Sequence, residues 1–235
     1  MLAGNRTLEQ AERVLPADRE VRQATEQHFL VHLPAQEYRR RVDHPEVRPF
    51  LDLLRENEEA ALLLANEMEA GRIRRSAIHG DTKLENFLFD DKTGRVRALV
   101  DMDTIMPHTW LADWGDMVRS LCNVAGEKEA RLDRVQIDMD VFRAVARGFL
   151  RSARNVTARE LELLVDGVQI IAFELGMRFL TDYLRGDSYF KLGPADPADL
   201  NKVRGLCQLT LFQRLRARDA ELRTSILSLR GELGR

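Results

Sequence analysis

The chain has 235 residues, 44% of them hydrophobic and 31% charged, with a formal net charge of −2. That balance suffices for a core and excludes partners recruited by bulk charge, so neither nucleic acid nor an acidic membrane surface is expected. No apolar run approaches the ~18 residues of a membrane span, and "MLAGNRTLEQAERV" lacks the apolar centre of a signal peptide. In chain order, "TLEQAERVL" opens with a capping box from Thr7 to Gln10. "ADREVRQATEQHFLVHL" runs helically until Pro34 stops it. "PFLDLLRENEEAALLLANEMEAGRI" reads as one long amphipathic helix closed by Gly71. The texture then changes. "NFLFD" and "RVRALVD" are short, rich in Phe, Val and Leu, and joined by "DKTG", which predicts a β-hairpin. Beyond "VDMDTIMPHTW" the helices return as "LADWGDMVRSLCNV", "MDVFRAVARGFLRSARNV" and a long "TARELELLVDGVQIIAFELGMRFLTDYLRG" with a capping box at Thr157 and Glu160. A Gly/Pro/Asp-rich loop, "GDSYFKLGPADPAD", precedes the last helical stretch, "DLNKVRGLCQLTLFQRLRARDAELRTSILSL". Cys122 and Cys207 stand far apart in no C-x-x-C spacing, so buried reduced thiols and a cytoplasmic location are expected.

The expected fold is mainly α (α+β), one compact domain holding a small antiparallel hairpin. Residues 1–70 are expected to be a helical lead-in packed on residues 71–235.

The hairpin carries the chemistry. Asp81 and Asn86 are five apart in the loop that enters its first strand, and Asp101 stands where its second strand ends. The fold-back brings Asn86 and Asp101 together, an amide and a carboxylate oxygen of the kind Mg²⁺ accepts. Asp81 then stands beside the metal but does not ligate it, where a base receives a proton from an attacking hydroxyl. This is the layout of phosphoryl transfer: H-x-D-x-x-x-x-N, then a metal-binding Asp after a short hairpin.

The stretches "HGDTKLENFLFD", "VDMDTIMP" and "LADWGD" make the chain resemble the aminoglycoside phosphotransferase and choline kinase-like superfamily, small-molecule relatives of the protein kinases. With the later "ELGMRFLTDYLRGDSYFK" they look like the N-acetylhexosamine 1-kinase group, over roughly Gly71 to Lys191. The resemblance implies the helical C-terminal lobe of a protein-kinase-like fold, ATP and Mg²⁺ as cofactors, and a small-molecule acceptor. It implies Asp81 as catalytic base, Asn86 and Asp101 as metal ligands, and Lys83 at the γ-phosphate, serving both catalysis and ATP binding. Asp103 would reach a second metal or hold the loop. His79 would brace the loop, and Asp113 would tie its backbone. Arg178 and Tyr189 match sugar-contacting positions, and Asp187 lies near the same expected cleft.

Plainer roles stand beside these. Lys83 is equally a solvated lysine, and Asp103 a cap for the following loop. Arg178 has Asp182 as an i+4 ion-pair partner, and the Tyr189 ring is suited to covering the core edge. Trp110 and Trp114 read as core anchors. His28, His32 and His108 lack the further ligands of a metal site.

What precedes His79 is unlike a kinase N-terminal lobe. It reads as helices, has no G-x-G, and contains no lysine, the first in the chain being Lys83. The β-rich lobe and its phosphate-clamping lysine are therefore expected to be absent. Either the native enzyme is longer, or a partner completes the ATP site or a second copy does so in a homo-oligomer, or the lobe survives as a non-catalytic binding module. The expected reaction is Mg²⁺-dependent transfer of the ATP γ-phosphoryl to a hydroxyl of a sugar or amino sugar. An aminoglycoside, choline or another amino alcohol is the alternative acceptor.

Overall fold

The computed structural model describes residues 33–153 and 155–232. The Thr7 capping box, the helix expected before Pro34, and His28 and His32 lie outside those residues. Pro34 starts a helix: it is the N-cap of α1 (Ala35–Val42). The next helix expected as one piece is three: α2 (Arg48–Glu56), α3 (Glu58–Ala61) and α4 (Leu63–Glu69). The first break is at Asn57, whose Nδ2 donates to the Leu53 carbonyl at 2.9 Å and so competes with the helical ladder. Gly71, at φ 67°, lies just beyond the last piece.

Two small antiparallel sheets follow. β2 (Phe87–Phe89) pairs with β3 (Val96–Leu99) as the expected hairpin, with a bulge at Leu88/Phe89. The second sheet was not legible: β1 (Ser76–Ile78) pairs with β4 (Met106–His108), Ser76 opposite His108 and Ile78 opposite Met106. These strands are too short to show an alternation. Together they close the base of the whole segment that contains the hairpin.

The rest is helical: α5 (Trp110–Cys122), α6 (Met139–Ser152), α7 (Ala158–Glu162), α8 (Leu164–Arg185), α9 (Leu200–Ala217) and α10 (Asp219–Glu232). The capping box at Thr157 and Glu160 is present, with both reciprocal bonds made. Two more expected single helices are broken, at buried Leu163 and at Arg218, whose guanidinium donates to the Ile137 carbonyl. α8 is the hub. It packs on α5 on one side and α9 on the other, and buries Leu164, Val168, Phe173, Phe179 and Leu180. A helix apolar around so much of its girth belongs in a core, and each fully buried Leu or Phe stabilises it by about 1.5–3 kcal/mol. Trp114 is buried, donates to the Leu164 carbonyl and, like Trp110, packs on Phe149.

α5 sits on α8 at backbone contact. A Cβ on Gly115 would lie 2.5 Å from the Gly167 carbonyl oxygen, so only glycine fits. This close seating fixes the height of Asp113 and Asp116, which α5 presents toward the loop after β1. Among the described residues, no helix is long and apolar enough to cross a membrane.

Candidate active site

β1 ends at buried Ile78, and the chain turns at His79 over the N-terminal half of α5. One carboxylate holds that turn. His79 N–H donates to Asp113 Oδ2 and Gly80 N–H to Asp113 Oδ1, each at 2.8 Å. Gly80 has φ +81°, and a Cβ there would meet the Thr104 carbonyl oxygen at 2.6 Å. Thr104 in turn donates its hydroxyl to the His79 carbonyl at 2.7 Å.

The His79 ring is buried and works as a strut. Its Nδ1 accepts from Asp81 N–H at 3.3 Å, so the proton stands on Nε2, 3.1 Å from the Val100 carbonyl. The ring thereby joins the loop to the end of β3.

Asp81 is pinned through one oxygen. Its Oδ2 accepts from Lys83 Nζ at 2.5 Å and from Asn86 Nδ2 at 2.9 Å, while Asn86 Nδ2 also donates to the Asp81 carbonyl at 2.8 Å. Oδ1 makes no hydrogen bond with any described residue. Asn86 closes a single 3₁₀ turn, Leu84–Asn86, and is buried. With Nδ2 committed to Asp81, its Oδ1 is the atom left to face a cation.

The hairpin register then does what its sequence implies. Phe87 lies opposite Leu99, and Val100 N–H donates to the Asn86 carbonyl at 2.9 Å. Asp101 is the next residue, so it stands beside Asn86. It is held at φ 70°, ψ 65°, a left-handed conformation that costs a non-glycine residue about 1–3 kcal/mol. Its exposed carboxylate makes no bond with a described residue. Asp103 is also exposed and caps no described residue.

Among the described residues there is no group of three or more His, Cys, Asp or Glu able to hold a metal. The donors present are one amide and one carboxylate oxygen, Asn86 with Asp101. That sparse hard-oxygen set fits Mg²⁺, which keeps several waters and takes further ligands from phosphates.

Several residues that shape the loop were not singled out from the sequence. Thr82 donates its hydroxyl to the Asp113 carbonyl at 2.6 Å and lies 3.4 Å from Asp116 Oδ2. Leu84 N–H donates to Ser120 Oγ at 2.9 Å. A signal was available: Asp113, Asp116 and Ser120 are spaced i, i+3 and i+7, which places them on one face of a helix. Burial pushes the Asp116 carboxyl up, against the opposing pull of Arg119.

Arg178, Tyr189 and Asp187 form a second group around the C-terminal end of α8. The Arg178 guanidinium stacks over the rings of Tyr189 and Phe190, at 5.7 and 5.4 Å, and reaches the Tyr189 hydroxyl at 3.4 Å. Asp182 is not its ion-pair partner. That buried carboxylate accepts from the backbone N–H groups of Ser188, Tyr189 and Phe190 and from Asn201. Asp187 is turned into the protein, with Oδ2 on Arg41 at 2.7 Å and Oδ1 on Asn201 at 3.0 Å. No hydrogen bond among the described residues joins this group to Asp81. Glu174, one turn before Arg178 on α8, also escaped notice; burial holds its carboxyl up at about 7 despite Arg178.

The family model of the phosphotransferase enzyme family matches residues 5–145, more than half of the chain. The match spans the catalytic-type loop, both metal-ligand candidates and α5, and ends before Arg178, Tyr189 and Asp187. The chain belongs to the phosphotransferase enzyme family.

Proposed function

We propose that this protein transfers the γ-phosphoryl group of ATP to a hydroxyl of a small molecule, a sugar or amino sugar, with Mg²⁺ as cofactor. The observation that carries this reading is Asp81: Oδ2 is fixed by Lys83 and Asn86, Oδ1 is open, and the Asn86–Asp101 pair lies alongside. Oδ1 accepts the proton of the acceptor hydroxyl as that oxygen forms its bond to the γ-phosphorus. The bond from phosphorus to the β,γ-bridging oxygen breaks, and ADP leaves with the electron pair. Lys83 orients Asp81 before ATP enters and is placed to turn toward the γ-phosphate. Asn86 Oδ1 and Asp101 would hold Mg²⁺, which neutralises charge on the phosphates when bound. Asp113, His79 and Thr104 supply no proton; they keep the loop from moving. Arg178 and Tyr189 offer a cation and an aromatic face to the acceptor, which suits a neutral sugar better than a cationic aminoglycoside or choline. The use of ATP and two buried unpaired cysteines accord with the cytoplasm.

The test is a calorimetric titration of the chain with ATP, with and without Mg²⁺, beside Asp101→Ala. A panel of hexosamines, aminoglycosides and choline is then assayed for ADP release. Binding that needs Mg²⁺ and is lost in Asp101→Ala is expected. So is turnover of a hexosamine that falls about 10²–10⁴-fold in Asp81→Asn. A second reading, a non-catalytic binding module or a lobe completed by a partner or second copy, is favoured by one observation: the described residues ahead of His79 form α1–α4 and β1, with no lysine among them to clamp the phosphates. No heat at millimolar ATP would overturn the first reading for this chain and leave the second.

A further inference from the structure

We propose that four alternating charges, Asp116, Arg119, Glu127 and Arg204, hold the catalytic-type loop and the Arg178–Tyr189 group in register, with Glu127 as the joint. The inference rests on the phosphoryl-transfer reading, because it concerns the relative placing of base and acceptor.

Arg119 is 4% exposed, and its Nε and Nη2 both donate to Asp116 Oδ1, at 2.8 and 2.5 Å. Its remaining arm, Nη1, donates to Glu127 Oε2 at 2.9 Å. Glu127 Oε1 accepts in turn from Arg204 Nε at 2.8 Å and from its Nη2. At the near end, Asp116 Oδ2 faces the hydroxyl of Thr82, the neighbour of Asp81. At the far end, the Arg204 guanidinium lies 3.7 Å over the Phe179 ring, and Phe179 packs on Phe190 at 4.5 Å. Phe190 in turn carries Arg178 on its face and Tyr189 at its edge.

The ladder draws on three separate pieces of chain: α5, the loop after it, and α9. Its composition argues for registration over bulk stability. Removing ions from water costs nearly as much as their attraction returns, so apolar residues would stabilise this spot as well. Charges, by contrast, accept only one arrangement of partners. Neutralising Glu127 leaves Arg119 and Arg204 facing each other with like charge, and both ends are then free to shift. These four are positioning residues; none touches the reacting atoms.

Glu127→Gln keeps the shape and loses the charge. On the acceptor found by the screen it should lower kcat and raise the acceptor KM, each by about tenfold or more. Glu127→Asp should recover part of both. Arg204→Gln, at the far end, should raise the acceptor KM alone. Combined with Glu127→Gln it should add little, because both changes break the same ladder. Multiplicative effects, or unchanged constants, would overturn the proposal.

Amide exchange of the full chain gives a readout that needs no activity. Glu127→Gln should speed exchange at residues 79–86 and 187–191 together and leave α10 unaltered. Faster exchange only around residue 127, or everywhere, would overturn the proposal as surely. If the wild-type chain phosphorylates nothing in the panel, the functional reading fails, and the exchange pattern still decides the ladder.

Discussion

Gly80 shows how narrowly single positions are set. It must take a left-handed φ, and it must lack a side chain because the Thr104 carbonyl fills the space a Cβ needs. Gly80→Ala should therefore cost about 1–3 kcal/mol in urea unfolding and loosen Asp81 with it. Glu174 is a residue of the opposite kind, placed at a cost. Its carboxyl is raised from the ordinary 4.5 to about 7, so between those values the folded chain binds a proton that the unfolded chain has released. Stability from this site therefore falls as pH rises from about 4.5 to about 7. Glu174→Gln should be more stable than wild type at pH 8, with the difference vanishing toward pH 4; melting temperatures across that range check it. At this scale Asp81, Asn86 and Asp101 were legible, because a hairpin's register alone decides that its two ends meet. Asp116 and Arg119 do carry the i, i+3 spacing of one helix face, but nothing in the sequence shows that Glu127 in the following loop joins Arg119 to Arg204 on α9. Asp187, expected near the acceptor cleft, is turned inward by Arg41, a partner far up the chain.

Among the elements, hydrophobic periodicity located the long helices but not their breaks. A single residue at Asn57, Leu163 or Arg218 interrupts a helix without disturbing the spacing of apolar residues on either side. The breaks matter because they set the directions in which side chains point. The short α7 turns Glu160 toward Arg74, and Glu67 at the end of the lead-in helices takes both Arg72 and Arg159. Burial would raise Glu160, but Arg74 and the Thr157 N–H outweigh it, and the carboxyl is held down at about 2. Arg159 and Arg72 hold Glu67 at about 2 as well. Depressed carboxyls stabilise the fold above their unfolded pKa. The contribution of both should be whole at neutral pH and be lost as pH falls from about 4.5 to about 2. Acid unfolding followed by circular dichroism should show this window. Glu67→Gln should be destabilised at pH 7 and differ least from wild type near pH 2.

Taken whole, the molecule joins a helical body built on α8 to a segment with its own closure. The helical class was legible because composition and period agree over most of the chain. The pairing of β1 with β4 was not, although it determines how that segment behaves. Three residues on each side bind residue 76 to residue 108 and so shut the segment at its base. The far end, around Lys92 and Gly94, is exposed, as are Leu88, Phe89 and Val96 beside it. The fold should therefore survive a break in the chain at the tip. Brief trypsin treatment should cut after Lys92 and give two fragments, one with Asp81 and Asn86, the other with Asp101. The pair should co-elute at the size of the intact chain on gel filtration and part only in denaturant. Separation in native buffer would mean that the closure at the base is too weak to hold the halves. A chain opened at this point and rejoined at its ends would then be a poor candidate for circular permutation, whereas a stable nicked pair would make it a good one.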